Sequence, residues 1–488
     1  MLINILILLP FLTAALMLML PRASLKTSSV LISLAMLGIT IAAYFIYKND
    51  AASPLLISIV PWISSLNSNW LVSLDGMSLL MTFLATLLCP LIFLSIRRES
   101  EYNNTFYALI WTMIGAMIGV FTAKDGLLFY VFWELALIPI YFICLIWGGE
   151  NKGRITFKFF IYTLFGSLCM LAALLFLYQR STAGWEISAL YQAGRSMTSL
   201  EQNFVFWGLF LGFAIKMPVF PFHTWQPDTY TTAPTQGTML LSGIMLKMGT
   251  YGAIRWLLPM VPSGVAMNSK YVIILSIIGI VYASCIALVQ KDAKRLMAWS
   301  SIAHVGLISA GIFVFNSEGL KGAFVQMLSH GIIVVGLFFI VDILMHRLKT
   351  NDMTKMGGIR GVAPGFGLLF LFVLLGSVAL PLTNGFVGEF LLLNGVFQYN
   401  FWMAVFAGLT VILGAVYMLR AYQSIMLGET NGLTSGFIEL QGWEKLVLAI
   451  IAVLIILFGI FPNIVLDLIG PGVDGLLNSN LGTNEVIH

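Results

Sequence analysis

Long apolar stretches separated by short polar loops run through the whole chain. Windows of about 20 apolar residues, the length that crosses a bilayer as a helix, predict about fourteen transmembrane helices. Their approximate limits are 2–20, 28–47, 69–95, 105–123, 125–147, 157–178, 203–224, 235–258, 271–290, 295–315, 321–347, 365–397, 401–427 and 443–468. The pattern therefore predicts an all-α membrane protein.

Two of the predicted segments contain signs of an interrupted helix. The seventh, with FAIKMPVFPFHTWQPDTYTTAPT, places Lys216 two residues before Pro218, and Pro221 and His223 follow. Proline removes a backbone donor and clashes with the preceding turn, and the freed backbone groups need protein or a water-lined cavity beside them. The twelfth segment would measure about 50 Å as a straight helix against a hydrocarbon core of about 30 Å, so we expect a break at Pro381. Matched breaks five segments apart indicate inverted repeats, with the functional site at the breaks.

Composition excludes several classes of protein. Hydrophobic residues make up 59% of the 488 residues and charged residues only 9%, whereas soluble proteins carry about 25% charged residues. The net charge of +4 is spread along the chain, so no basic patch supports nucleic-acid binding. The four cysteines lie in apolar runs without CxxC spacing, which predicts small buried side chains and not a disulfide framework. The apolar N-terminus has no evident cleavage site, and we expect it to remain as the first helix.

Basic residues are distributed unevenly between the two sets of alternate loops. Of the 25 lysine and arginine residues, Lys216 and Lys247 belong to neither set, because they lie well inside predicted helices. Seven lie in one set of loops or at the helix ends beside them: Lys48, Lys124, Arg180, Arg195, Arg255, Lys270 and Lys321. The other 16 lie in the second set of loops, which is therefore the more basic one. Because basic loops stay on the cytoplasmic side, we expect both termini on the opposite side of the membrane.

A few ionisable side chains fall at mid-membrane positions. They are Glu134, Lys216, Lys247, His304, His330 and Glu389. A charged lysine at the centre of a membrane helix costs about 2.5–3.5 kcal/mol, which favours a functional role for such residues. Asp75 in SLDGMS stands at the start of its span instead, and we expect it to cap that helix.

Less specific explanations stay open for these residues. Glu134 could be only the structural partner of a lysine, Lys247 could donate to a carbonyl of a broken helix, and His223 could only cap freed backbone groups. His304 and His330 could each be ordinary core residues. They could also hold a haem between adjacent helices, but no glutamate or histidine pair has the HxxxH, HExxH or ExxH spacing of metal ligands on one helix face. We therefore predict no metal site.

Burial suggests how such residues could move protons. An apolar environment disfavours the charged form of a lysine, and a nearby carboxylate favours it. If Glu134 pairs with Lys216, separating the two by a few ångström releases the proton of the lysine, and bringing them together reloads it. Lys247 and the two histidines could pass the proton sideways, with water filling the helix breaks. Glu389 could take up and release the last proton.

Three motifs resemble the antiporter-like membrane subunits of respiratory complex I. They are FYVFWELALIPIY around Glu134, the lysine–proline stretch with the downstream MLLSGIMLKMGTYG, and KDAKRLMAWSSIAHVG. The resemblance covers nearly the whole chain, and the lysine–proline stretch is highly specific. Glu389 in GFVGEF stands where members of the family more often carry lysine, and the chain ends about 20 residues after its last predicted span. Both features single out one subunit type within the family.

The resemblance implies a fourteen-helix fold with two inverted five-helix repeats and broken helices 7 and 12. We expect residues 1–100 to form helices 1–3 and residues 101–260 the first repeat, helices 4–8. Residues 261–430 would form the second repeat, helices 9–13, and residues 431–488 the last helix and a short tail.

The resemblance also implies roles for the buried residues. Glu134 and Lys216 would form the switch pair, and Lys247 would be the central relay. Glu389 would be the terminal proton-transfer residue. His304 and His330 match relay positions in the same motifs. Pro218, Pro221, His223 and Pro381 are expected to form the helix breaks where water enters.

The leading hypothesis is a proton-translocating subunit of NADH:quinone oxidoreductase, with both termini on the periplasmic side of a bacterial inner membrane. The resemblance implies no redox centre in this chain, and flavin, iron–sulfur clusters and quinone are expected in partner subunits. Expected partners are the other membrane subunits, especially neighbouring antiporter-like chains, and lipids, but no nucleic acid. The alternative is the core subunit of a multi-subunit Na⁺/H⁺ antiporter, which needs the same buried switch.

Overall fold

The computed structural model describes residues 2–97 and 100–481, so Arg98 and the end of the predicted tail lie outside the described residues. The first part of the chain forms helices α1 (Leu2–Met19), α2 (Arg22–Asn49), α3 (Gly76–Ser95), α4 (Asn104–Thr122), α5 (Gly126–Leu135), α6 (Leu137–Trp147), α7 (Lys152–Arg180), α8 (Ile187–Arg195) and α9 (Ser199–Lys216). The second part forms α10 (Gln226–Thr232), α11 (Thr235–Leu240), α12 (Leu246–Gly252), α13 (Pro262–Val289), α14 (Ala293–Phe313), α15 (Ser317–Leu348), α16 (Ile359–Val362), α17 (Pro364–Ser377), α18 (Asn384–Tyr399), α19 (Phe401–Met426), α20 (Gly442–Ile460) and α21 (Asn463–Leu481). Two strands, β1 (Ile57–Ile63) and β2 (Ser68–Ser73), form an antiparallel hairpin.

Eleven helical segments in the described part of the chain are long and apolar enough to cross a membrane. Each coincides with a predicted span. The three other predicted spans are the seventh, eighth and twelfth, and the structure interrupts all of them. The seventh ends at Lys216, the eighth contains π-helical turns, and the twelfth is divided between α17 and α18. The prediction of a helical membrane protein with broken helices 7 and 12 is confirmed, whereas the total of fourteen spans stays a prediction.

Contacts divide the chain into two compact units. The first unit contains the described residues up to Met217, together with Ile244–Tyr271 and the described residues from Asp467 onward. Within it α1 packs on α4, α2 on α3, and α7 on α9. Glycines bring α9 close to α7, because a Cβ atom at Gly208 would lie 2.9 Å from Cβ of Ala173. Small residues of this kind let membrane helices approach closely, and here they fix the helix that ends at Lys216.

The second unit contains Pro218–Gly243 and Val272–Leu466. Its core is formed by α15, which packs along α14 and α18. A Cβ atom at Gly388 would lie 2.9 Å from Cα of Gln326, so this glycine lets α18 lie against α15. The hydroxyl of Ser329 on α15 donates to the backbone oxygen of Asn384 at 3.0 Å. These contacts anchor the first turns of α18, where Glu389 lies.

The hairpin corrects the predicted start of the third span. That span was expected from residue 69, but residues 68–73 form β2 and the helix begins only at Gly76. Asp75 caps it, as predicted: its carboxylate accepts from the amide of Ser78 at 3.0 Å, and the Ser78 hydroxyl accepts from the amide of Asp75 at 2.8 Å. An apolar run does not distinguish a short strand from the beginning of a helix.

The C-terminal region also differs from the prediction. The last span was expected over residues 443–468, but α20 ends at Ile460 and a further helix, α21, begins at Asn463. Pro462 explains the division, because the residue before a proline is disfavoured in helical conformation. The described part of the expected short tail is therefore helical as far as Leu481.

Candidate functional site

Lys216 is the last residue of α9. The helix begins with a capping box between Thr198 and Glu201, and Pro218 prevents its continuation. The side chain of Lys216 is buried, with 3% of the residue exposed. Its Nζ atom lies 5.0 Å from the centre of the Trp133 ring, within the range of a cation–π interaction. The predicted helix break thus places a buried amine at a helix end, against an aromatic face.

Glu134 lies beside a second interruption, in the predicted fifth span. Helix α5 ends at Leu135 and α6 begins at Leu137, because Pro139 cannot donate to the carbonyl of Leu135. Glu134 is the carboxylate that acts electrostatically on Lys216. Its Oε1 atom is buried and makes no hydrogen bond among the described residues. In the structure, the charge of Glu134 thus acts on Lys216, its predicted partner, and the ring of Trp133 faces the ammonium group of the lysine.

Lys247 lies between two π-helical segments and is fully buried. The segments are Leu241–Met245 and Ala253–Leu257, with the short helix α12 between them. A Cβ atom at Gly249 would lie 2.9 Å from the backbone nitrogen of Met217, the residue after Lys216. The helix of Lys247 thus packs directly on the end of α9. π-helical turns inside α-helices occur frequently at functional sites.

Three predicted residues of the second unit meet in one polar cluster. Nδ1 of His304 lies 2.9 Å from Oε1 of Glu389, and both side chains are buried. Nε2 of Gln326 donates to the same glutamate oxygen at 3.4 Å. Nε2 of His330 lies 3.0 Å from the hydroxyl of Ser301, and the rings of His304 and His330 are 6.0 Å apart.

Helical spacing explains how this cluster forms. Ser301 and His304 lie one turn apart on α14, and Gln326 and His330 lie one turn apart on α15, so each pair shares a helix face. These four side chains line a cavity of about 10 Å³, close to the smallest volume that holds one water. The distance between His304 and Glu389 is short enough for proton exchange, and Ser301 contacts the second histidine.

Sequence reasoning missed several of these polar contacts. Gln326 and Ser301 were not predicted as site residues, although each lies one helical turn from a predicted histidine. Tyr417, whose hydroxyl is 3.1 Å from that of Ser300, comes from α19 and left no signal in the sequence. Trp133 directly precedes the predicted Glu134, but its position over Lys216 depends on packing between helices.

The predicted break residues lie at interrupted helices. Pro381 stands between α17 and α18, flanked by Ala379 and Leu382 with left-handed φ values of 54° and 75°. Pro218 and Pro221 lie in the turns between α9 and α10.

His223 follows these prolines and is buried in an aromatic cluster. Its ring centre is 5.5 Å from those of Phe220 and Tyr282 and 5.7 Å from that of Trp299. Among the described residues, no group of three or more histidine, cysteine, aspartate or glutamate side chains is arranged to hold a metal ion.

Comparison with known proteins places this architecture in one family. A family model described as "NADH:quinone oxidoreductase/Mrp antiporter, TM" matches residues 123–414. NADH-quinone oxidoreductase subunit M of Rickettsia conorii is 40% identical over 440 residues, which cover 89% of each chain. A chain of respiratory complex I from Thermus thermophilus with bound NADH is 30% identical, with a TM-score of 0.91 over 98% of this chain and 100% of that one. A chain of the Mrp complex from Dietzia sp. shares the fold, with a TM-score of 0.83 and 20% identity over 98% of this chain and 52% of that one.

These matches confirm the predicted resemblance to the antiporter-like subunits of complex I. The subunit type indicated by Glu389 is the M type, which the Rickettsia relative also carries in its name. The chain belongs to the NADH:quinone oxidoreductase/Mrp antiporter transmembrane family.

Proposed function

We propose that this chain is the M-type proton-translocating membrane subunit of an NADH:quinone oxidoreductase. The similarity to subunit M over 89% of both chains supports this function, as does the similarity to a whole chain of complex I. The observation that carries the mechanism is the burial of Lys216 at a helix break, with Glu134 as its electrostatic partner. The charged form of an amine buried in this position is costly, which favours a functional role for it.

Glu134 and Lys216 act as the switch in this proposal. The ammonium lies over Trp133, and the carboxylate acts on it from a neighbouring interrupted helix. A small displacement of either helix end changes the distance between the two charges. When the carboxylate moves away, the charged form of the lysine is disfavoured and its proton leaves. When the carboxylate comes closer, the charged form is favoured and a proton returns. Lys247, whose helix packs on the end of α9, is the central relay.

His304, His330 and Glu389 form the relay of the second unit. A proton on Glu389 can pass to Nδ1 of His304 over 2.9 Å, leaving a carboxylate and an imidazolium. Ser301 and one water in the adjoining cavity would connect this pair to His330. We further propose that the breaks at Pro218, Pro221 and Pro381 and the turn that carries His223 admit water to the buried groups.

The chain is a multi-pass membrane protein of a multi-subunit complex. We place it in a bacterial inner membrane with both termini periplasmic, because the basic loops would then face the cytoplasm. Other antiporter-like chains and lipids are its proposed neighbours. Flavin, iron–sulfur clusters and quinone belong to partner subunits in this proposal. We retain residues 101–260 and 261–430 as the two inverted five-helix repeats, flanked by residues 1–100 and 431–488.

Purification from native membranes tests the function. Co-purification with flavin and iron–sulfur subunits, and NADH-dependent acidification of vesicles by the complex, are expected. The shared fold of the Mrp chain makes a multi-subunit Na⁺/H⁺ antiporter the alternative. Recovery only with other membrane subunits, together with proton movement driven by a sodium gradient, would favour that alternative and overturn the proposal.

A further inference from the structure

One carboxylate of the first unit holds two cations, Lys124 and Arg255, whose side chains are largely buried. Nζ of Lys124 lies 2.8 Å from Oδ2 of Asp75, and the guanidinium of Arg255 contacts the same oxygen. The side chains of Lys124 and Arg255 are 8% and 16% exposed, whereas that of Asp75 is 30% exposed. The cluster therefore contains one more positive than negative charge, and its carboxylate reaches the surface of the chain.

The backbone fixes all three residues. Asp75 caps α3, and Lys124 lies between α4 and α5. The amide of Lys124 donates to Leu71 of β2 at 2.9 Å, and its carbonyl accepts from Ile187 at the start of α8 at 2.8 Å. Arg255 belongs to the π-helical segment that follows α12, eight residues after Lys247 in the same helical stretch. The helix cap and the backbone hydrogen bonds thus hold the cluster in place. Arg255 lies in the same helical stretch as Lys247, the proposed central relay.

Other titratable groups surround the cluster. The Tyr191 hydroxyl on α8 donates to the carbonyl of Arg255 at 2.5 Å, and that of Tyr251 donates to the carbonyl of Phe121 at 2.8 Å. Tyr47 of α2 interacts electrostatically with Asp75. Burial raises the pKa of Tyr191 to about 12, so it keeps its proton at neutral pH.

Arg195 acts electrostatically on Tyr191, and two acidic residues also lie near the cluster. Asp125 accepts hydrogen bonds from Ser68, Asn69 and Leu128, and Glu186 is exposed before α8.

Lys124 is the cation of this cluster that can change its charge. Arginine stays protonated in proteins, whereas lysine can lose its proton when buried. Burial, followed by the charge of Arg255, lowers the pKa of Lys124 to about 8, although Asp75 acts in the opposite direction. Burial favours the protonated form of Asp75, but Arg255 and Lys124 together hold its pKa well below the usual range. The carboxylate therefore stays charged while the lysine can titrate.

One cation is enough to neutralise the carboxylate of Asp75, so the second leaves the cluster with a surplus positive charge. Removing the proton from Lys124 leaves Asp75 and Arg255 as a neutral pair, so the arrangement suits a group that alternates between two charge states. We propose that Lys124 is a further proton-holding residue of this chain, positioned by Asp75 and Arg255. The ammonium gives H⁺ to water at the surface where Asp75 is exposed and becomes a neutral amine. It then takes up the next proton from within the chain. The inference rests on the proposed function.

Two substitutions in the intact complex test this inference. Lys124→Met leaves the neutral pair of Asp75 and Arg255, and Lys124→Arg keeps a positive charge that cannot be released. NADH oxidation and acidification are measured in inverted membrane vesicles from pH 6.5 to 9. Both variants are expected to assemble and to pump at least threefold fewer protons per NADH. We expect an inflection of pumping near pH 8 in the unaltered complex and no such inflection in either variant. Lys48→Met, at an exposed lysine near the end of α2, is the matched control.

Each alternative outcome is decisive. Normal pumping with an unchanged pH profile in Lys124→Met would overturn the inference. Failure of both variants to assemble would also overturn it, because Lys124 would then be a structural residue. Lys216→Ala, measured in parallel, separates the two proposals. Loss of pumping in Lys216→Ala alone would remove Lys124 from the path and leave the proposed function intact. Normal pumping in Lys216→Ala would count against the proposed function itself.

Discussion

Nδ1 of His304 and Oε1 of Glu389 lie 2.9 Å apart in a buried part of the second unit. The two residues come from α14 and α18, and Glu389 reaches this position because α18 begins again after the break at Pro381. An unbroken helix would continue the axis of α17 past this point. The break therefore sets the direction of α18, and this direction places Glu389 beside His304.

Replacing Glu389 by glutamine should block proton transfer at this pair. Glutamine keeps the size of the side chain and can bond to His304 and Gln326, but it cannot ionise. We expect at least a tenfold loss of proton pumping with normal assembly, since loss of a positioned acid or base costs about 10²–10⁴-fold in rate. Acidification of vesicles by the complex measures the effect, with Glu429→Gln at an exposed position as the control. Full pumping in Glu389→Gln would remove this residue from the path, whereas Glu389→Lys should retain part of the activity because a buried lysine can also take up and release a proton.

The switch pair makes a separate prediction. Lys216→Ala and Glu134→Ala should each strongly reduce proton pumping while the subunit still assembles. The reason is that the charge of one residue controls the proton of the other. Pumping and the amount of assembled complex are measured together, with Lys445→Ala at an exposed position as the control. If both variants pump normally, the ion-pair switch is wrong.

Gly388 tests whether close packing positions Glu389. Alanine there would place a Cβ atom 2.9 Å from Cα of Gln326 and force α18 away from α15. Overpacking of this kind costs about 1–3 kcal/mol, and it would also lengthen the distance between Glu389 and His304. We expect lower pumping and lower thermal stability. Gly408→Ala on α19, where a Cβ atom would meet nothing within 4 Å, should affect neither property.

Sequence reasoning located the helix breaks because proline acts locally. Pro218 and Pro381 disrupt the turn in which they stand, so the ends of α9 and α17 could be predicted from short motifs. The hairpin formed by β1 and β2 could not, because strand pairing depends on residues that are distant from each other along the chain. For the same reason the sequence indicated Asp75 as a helix cap but not as the partner of two cations. Lys124 lies in a connection and Arg255 in a helical stretch far along the chain, and only folding brings them to one carboxylate.

The charge on Lys124 should make the stability of the chain depend on pH. Its pKa is about 8 in the folded chain, against an ordinary value of 10.5. Between these values the unfolded chain binds more protons, so stability rises with pH. Below pH 8 the folded chain carries the full cost of the buried charge. Lys124→Met should therefore unfold at a higher temperature than the unaltered chain at pH 7, and the difference should shrink towards pH 10. Thermal unfolding of the purified complex measures this, and a difference that does not vary with pH would contradict it.

The end of α9 at Lys216 has one more electrostatic consequence. The last carbonyl groups of a helix lack partners within the helix, and together they carry about half an elementary negative charge. A lysine in the last turn is therefore stabilised by the helix dipole as well as by any carboxylate nearby. Because the dipole belongs to the backbone, it would stay in place if Glu134 and Lys216 separate as in the proposed switch. Part of the stabilisation of the charged lysine would then remain, and the carboxylate would supply only the rest of the difference between the two protonation states.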